Sequence, residues 1–72
     1  MYISEKIIEQ FGRNIKAERS RIGLSQEVLS EKMGVNPQYI SRIECGRANM
    51  SLKKIIELTN YLGADLKDIL RF

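Results

Sequence analysis

This chain predicts an all-α fold, and three observations carry that reading. Apolar residues recur three and four positions apart in successive segments, which lines them along single helical faces. Four segments open on a good N-cap residue, Ser4, Ser25, Asn36 or Ser51. Each cap has an apolar residue just before it and another four after it: Ile3 and Ile8, Leu24 and Leu29, Val35 and Ile40, Met50 and Ile55. That is the spacing of a hydrophobic staple around a cap, and its recurrence sets the helix starts. Finally, no segment sustains the period-two alternation of a strand, and there is no repeat or low-complexity tract.

The first helix is expected from about Glu5 to Ile22, ending at Gly23. Its buried stripe is Ile8, Phe11, Ile15 and Ile22, with Ile7 and Ala17 alongside. Gly12 lies inside it and costs about 1 kcal/mol relative to Ala, which predicts a distorted or late-starting helix. The second helix runs from Gln26 to Met33 and stops at Gly34, a residue free to take the left-handed conformation. The third opens on Asn36 as cap and Pro37 at the first helical position, where the missing N–H has no partner to lose. It ends near Cys45 and Gly46. After a loop over Arg47 to Met50, the fourth helix spans Leu52 to Leu62 and closes at Gly63. A fifth starts at Asp65 and carries Leu66, Ile69 and Leu70.

Seventy-two residues make one small domain, with a core marginal enough to need tight helix packing or a partner subunit. Cys45 stands alone and histidine is absent, so neither a disulfide framework nor an ordinary zinc site is expected, and no metal or cofactor. Apolar runs are too short to span a membrane, and the first ten residues read as no signal peptide. A reduced cytoplasmic setting is the default expectation.

The net charge of +3 is unevenly placed. Between Arg13 and Arg47 there are seven basic and four acidic residues, whereas the flanks hold five of each. The excess therefore surrounds the pair of short helices, as in a protein that binds a nucleic-acid duplex. A surface that is merely solvated and basic is the competing reading of charge alone. The third helix leaves Gln38, Ser41 and Arg42 on its exposed face, side chains that hydrogen-bond to base edges and phosphates.

The combined pattern resembles the phage-repressor and Cro-like, or XRE-like, helix-turn-helix family. The matching residues are Leu24-Ser25-Gln26, Leu29, Gly34-Val35, Tyr39-Ile40-Ser41, Ile43-Glu44, Gly46, Ser51-Leu52, Ile55 and Leu62-Gly63, and the likeness covers roughly residues 9 to 70. The small controller proteins of restriction–modification operons are a similar subset. One departure is Ser30, where the family usually has Ala. Its hydroxyl must bond back into its own helix for the close packing there to survive. The resemblance implies a compact five-helix domain over residues 1–72, with a helix-turn-helix at about 26–45 and a dimerisation region at about 52–72. It also implies a homodimer on a pseudo-palindromic double-stranded operator.

Carried over by position, the base-reading residues are Asn36, Pro37, Gln38, Ser41 and Arg42. Arg42 suits guanine and Gln38 adenine; Pro37 offers only an apolar contact. Plain exposed helix surface is the alternative for Gln38 and Ser41, and a phosphate contact for Arg42. Gln26 is the expected phosphate clamp at a helix N-terminus. Arg13, Asn14, Arg21, Tyr39, Arg47 and Asn49 are further phosphate candidates, with Arg47 and Asn49 foremost and Tyr39 equally readable as core. Lys16 and Lys32 read better as solvated charges, and Cys45 as an ordinary thiol. The resemblance also implies that Arg19 and Glu44 form a structural ion pair. Leu52, Ile56, Leu66, Ile69, Leu70 and Phe72 exceed what one small core needs and form the expected dimer surface; completing the monomer core is the alternative.

The function that follows is a transcriptional regulator, with RNA polymerase a candidate partner and no small-molecule ligand expected. An antitoxin-type module that masks a protein partner and also binds DNA is the alternative. An enzyme is disfavoured, because there is no histidine, no evident paired-carboxylate cleft and no glycine-rich phosphate loop.

Overall fold

The computed structural model describes all residues from Met1 to Phe72. Its elements are α1 (Ser4–Arg21), α2 (Gln26–Met33), α3 (Pro37–Glu44), α4 (Leu52–Leu62) and α5 (Leu66–Ile69), with no strand. α3 packs on both α1 and α2, α4 packs on α2, and the single turn of α5 bridges α1 and α4. No helix is long and apolar enough to cross a membrane.

The caps explain most of the boundaries. Ser25 Oγ accepts from the Val28 N–H at 3.1 Å, Asn36 Oδ1 from the Gln38 N–H at 2.9 Å, and Ser51 Oγ from the Lys54 N–H at 3.2 Å. Each satisfies one of the N–H groups that the first helical turn leaves without a partner. Asp65 is the cap of α5 rather than its first residue, accepting from the Lys67 N–H at 3.1 Å. The fourth expected cap is corrected: Ile3 holds the cap position of α1 with no side-chain bond, and Ser4 is already helical. The first turn of α1 is exposed, so water can serve its free N–H groups without a side-chain cap.

The turn between α2 and α3 shows why glycine stands there. Gly34 takes φ 69°, ψ 34°, its N–H bonds back to the Glu31 carbonyl at 3.2 Å, and the Val35 N–H reaches the Ser30 carbonyl at 2.9 Å. This paired closure reverses the chain within one residue and drops Val35 against the core. The Ser30 hydroxyl donates to the Glu27 carbonyl at 2.7 Å, which is the back-bond its place on the buried face required.

The core is one cluster of Phe11, Ile15, Leu29, Ile40, Ile43, Leu58, Leu62 and Ile69. Leu24, Val35 and Met50, the apolar residues before three of the caps, pack against it; Ile3 is exposed. Two expectations for α1 are corrected. Ile22 is the C-cap and 38% exposed at the end of α1, and Ala17 is exposed because it shares the solvent-facing side of the helix with Arg13, Lys16 and Ser20. Gly12 does not break α1, which is continuous from Ser4 to Arg21. Gly12 is buried instead at the crossing of α1 and α3, where a Cβ would lie 2.4 Å from the Ile43 carbonyl oxygen and 2.8 Å from that of Glu44. The glycine is there for close approach of two backbones.

Candidate nucleic-acid interface

α3 is seated by one face and offers the other. Ile40, Ile43 and Glu44 are buried, and Tyr39 packs partly buried against the core. Pro37, Gln38 and Arg42 point to solvent, with Ser41 half-buried beside them. Gln38 and Arg42 are four apart, so their side chains share the outward ridge. Asn36 is exposed at the N-terminal end; its oxygen is committed to the cap, which leaves its amide N–H groups free to donate.

A buried polar knot sets the angle of this helix. Arg19 Nε donates to Glu44 Oε2 at 2.6 Å and Nη2 donates to Oε1 at 3.0 Å, a two-point pair with side chains only 13% and 3% exposed. Arg19 Nη1 donates to the Leu24 carbonyl at 2.8 Å, and Gln26 Nε2 donates to Glu44 Oε1 at 3.0 Å. One carboxylate thus ties the end of α1, the start of α2 and the end of α3. The hydrogen bond to Glu44 raises the Arg19 pKa above its ordinary value, against the opposing pull of burial, so the arginine stays charged. The expected pairing of Arg19 with Glu44 is therefore present, and Gln26 has a structural duty that the sequence reading missed. Gln26 stands half-buried at the first position of α2, with one amide N–H spent on Glu44.

The expected phosphate residues divide. Arg47 and Asn49 are exposed in the loop after α3, and Arg42 and Arg47 are in no ion pair. Arg13 lies 3.8 Å from Glu9 and Arg21 2.9 Å from Glu18; these surface pairs are worth about 0–1 kcal/mol and yield readily to a phosphate. Asn14 is a correction. It is 8% exposed, and its amide N–H groups reach the carbonyls of Ile69 and Arg71 at 2.9 and 3.1 Å, so nothing remains for a phosphate. Its place three residues after Phe11 and beside Ile15 was the available signal that it lies on the buried stripe.

The expected dimer surface also divides. Leu52, Ile56, Leu66 and Phe72 are exposed, at 64, 43, 37 and 52%. Ile69 is fully buried and belongs to the monomer core, a correction that follows from α5 filling the gap between α1 and α4. Leu70 is half-buried against that core.

Residues 15–69 match the family described as Helix-turn-helix, HTH_3. The chain belongs to that family. Among its helix-turn-helix relatives, the control protein C.BamHI of Bacillus amyloliquefaciens is 38% identical over 63 residues, 86% of this chain and 78% of the relative. The HTH-type transcriptional regulator MJ0272 of Methanocaldococcus jannaschii is 36% identical over 55 residues, 76% of this chain and 83% of the relative. Among solved structures, the restriction-modification controller protein C.AhdI from Aeromonas hydrophila superposes with a TM-score of 0.80 at 31% identity, covering 86% of this chain and 94% of that one. The five-helix arrangement is therefore that of helix-turn-helix proteins, and these relatives are a control protein, a controller protein and a transcriptional regulator rather than enzymes.

Proposed function

We propose that this protein is a sequence-specific, double-stranded-DNA-binding transcriptional regulator of the controller type, acting as a homodimer on a pseudo-palindromic operator. The observation that carries the proposal is the division of α3. Ile40, Ile43 and the Arg19–Glu44 pair hold one face rigidly, while Gln38 and unpaired Arg42 project from the other. A helix so placed enters the major groove by its first turns. Gln38 offers a two-point bond to adenine and Arg42 to guanine, while Asn36, Ser41 and Pro37 contact what lies beside them. Arg47 and Asn49, then Arg13, Arg21, Tyr39 and the second Gln26 N–H, hold the sugar-phosphate backbone on either side.

The exposed apolar residues Leu52, Ile56, Leu66 and Phe72 support pairing of two copies through the α4, α5 and tail face. Two copies place their reading helices on half-sites about 34 Å apart or a multiple of that. Occupancy then follows protein concentration, and the bound dimer acts by blocking or recruiting RNA polymerase. Similarity to C.BamHI and C.AhdI favours the controller role among regulator roles.

Selection of bound duplexes from a random oligonucleotide pool tests the proposal. The expected result is an enriched site with two related halves in opposite orientation. Its affinity should fall with rising salt by about 0.9 logarithmic units per phosphate neutralised. No enrichment over the starting pool, or an affinity indifferent to salt, refutes it.

A further inference from the structure

The most heavily used polar side chain outside the reading apparatus is Asn14. Its Nδ2 group donates to the Ile69 carbonyl at 2.9 Å and to the Arg71 carbonyl at 3.1 Å, across 55 and 57 residues of sequence. Gln10, one turn earlier on α1, donates from Nε2 to Asn14 Oδ1 at 2.9 Å, which turns the Asn14 amine toward the chain end. The acceptors belong to the segment that needs them. α5 is a single turn, and the last carbonyls of a helix have no partner within it. A turn this short does not hold itself in water. Beyond it, Phe72 lines an apolar groove with Ile7, Ile8, Phe11 and Leu70.

We infer that Asn14 is a positioning residue for self-association: it clasps the C-terminal segment Ile69–Phe72 onto α1 and so holds Phe72 where a second copy of this chain meets it. The inference rests on the homodimer reading above. Without the clasp, the carbonyls of Ile69 and Arg71 turn to water, the tail frays, and ordering it again becomes part of the cost of dimerisation. Asn14, its amide N–H groups spent on the tail, makes no contact with DNA. Its influence on the operator passes only through the partner subunit.

The test compares the full-length wild type with Asn14→Ala, Asn14→Asp, Phe72→Ala and the double variant Asn14→Ala/Phe72→Ala. Dimer dissociation is measured by sedimentation, tail order by the rate at which carboxypeptidase releases the C-terminal residue, and DNA contact by affinity for a duplex carrying one half-site. Asn14→Asp keeps the side chain's size and turns a carboxylate toward two carbonyls. Phe72 is exposed, so its truncation leaves the fold intact even where an Asn14 variant is too unstable to study.

Both Asn14 variants should release the tail faster and raise the dimer dissociation constant by about tenfold, the effect of losing one or two buried hydrogen bonds. Half-site affinity and its salt dependence should stay as in wild type. The losses from Asn14→Ala and Phe72→Ala should add to less than their sum, since both act through the tail. A dimeric wild type whose dissociation constant is unmoved by Asn14→Ala overturns the inference alone. So does full additivity, or a salt slope lowered by about one, which would make Asn14 a phosphate ligand after all. A wild type that stays monomeric at every concentration overturns the inference and the homodimer reading together.

Discussion

Replacing Gly12 by Ala pits two effects of opposite sign against each other, and the structure decides between them. In an exposed helix the change is favourable by about 1 kcal/mol, because alanine loses less backbone freedom on folding. Here the new methyl would sit 2.4 Å from the Ile43 carbonyl oxygen, 2.8 Å from the Glu44 oxygen and 3.0 Å from the Glu44 carbonyl carbon. All three are backbone atoms of α3 and its end, so no side chain can swing aside. Relief requires α1 and α3 to part by about 1 Å, which opens the packing of Phe11 and Ile15 against Ile43. Overpacking of this kind costs typically 1–3 kcal/mol, and a clash with backbone places it at the upper end. The net is a loss of about 2 kcal/mol, or roughly 10–15 °C in Tm for a domain of this size. Thermal unfolding followed by circular dichroism reads it directly. Ala17→Gly, on the exposed face of the same helix, calibrates the propensity effect and should cost about 1 kcal/mol by itself. A Gly12→Ala protein that melts at or above the wild-type temperature would show that the glycine is not needed for the helix crossing.

Arg19→Ala should destabilise by about 3 kcal/mol or more in urea unfolding, because it strands a Glu44 carboxylate that is 3% exposed; a loss below 1 kcal/mol would mean that water reaches the site. Since Arg19's pKa is raised in the fold, its contribution is complete below arginine's unfolded value and lost only above the raised one, so a neutral-to-mildly-alkaline titration should show no stability change from this group. Arg42→Ala should weaken binding to a selected operator by about 1–3 kcal/mol and relax preference at one base pair, measured by competition among single-base variants; preserved base preference would remove Arg42 from the reading set. Arg47→Ala should weaken all duplexes alike and lower the salt slope by about one, in contrast to Arg42→Ala. Ser51→Ala should cost about 1 kcal/mol through the lost cap on the Lys54 N–H, without altering base preference.

Helix positions were legible because their causes are local. The caps Ser25, Asn36 and Ser51 act on N–H groups two or three residues away, and Gly34 turns the chain within its own turn, so linear order contains the information. Ser4 misled because the same residue type serves as cap or as ordinary helix surface, and only the backbone angles around Ile3 distinguish the two. The outward set Gln38, Ser41 and Arg42 was legible from the apolar pair Ile40 and Ile43, since burying one face of a helix exposes the other. The pairing of Arg19 with Glu44 came from family resemblance, not from spacing: 25 residues separate them.

The sequence by itself determined the five helices, the turn at Gly34 and the outward ridge of α3, because each depends on interactions within about one helical turn. Tertiary structure alone decided that Gly12 admits a neighbouring backbone and that Gln26 shares the Glu44 carboxylate. It also decided that Asn14 faces inward to the chain end and that Ile69 belongs to the monomer core. The reason is physical: each of these residues is chemically suited to more than one role, and which role it takes depends on atoms brought near it only by the packing of helices distant in sequence.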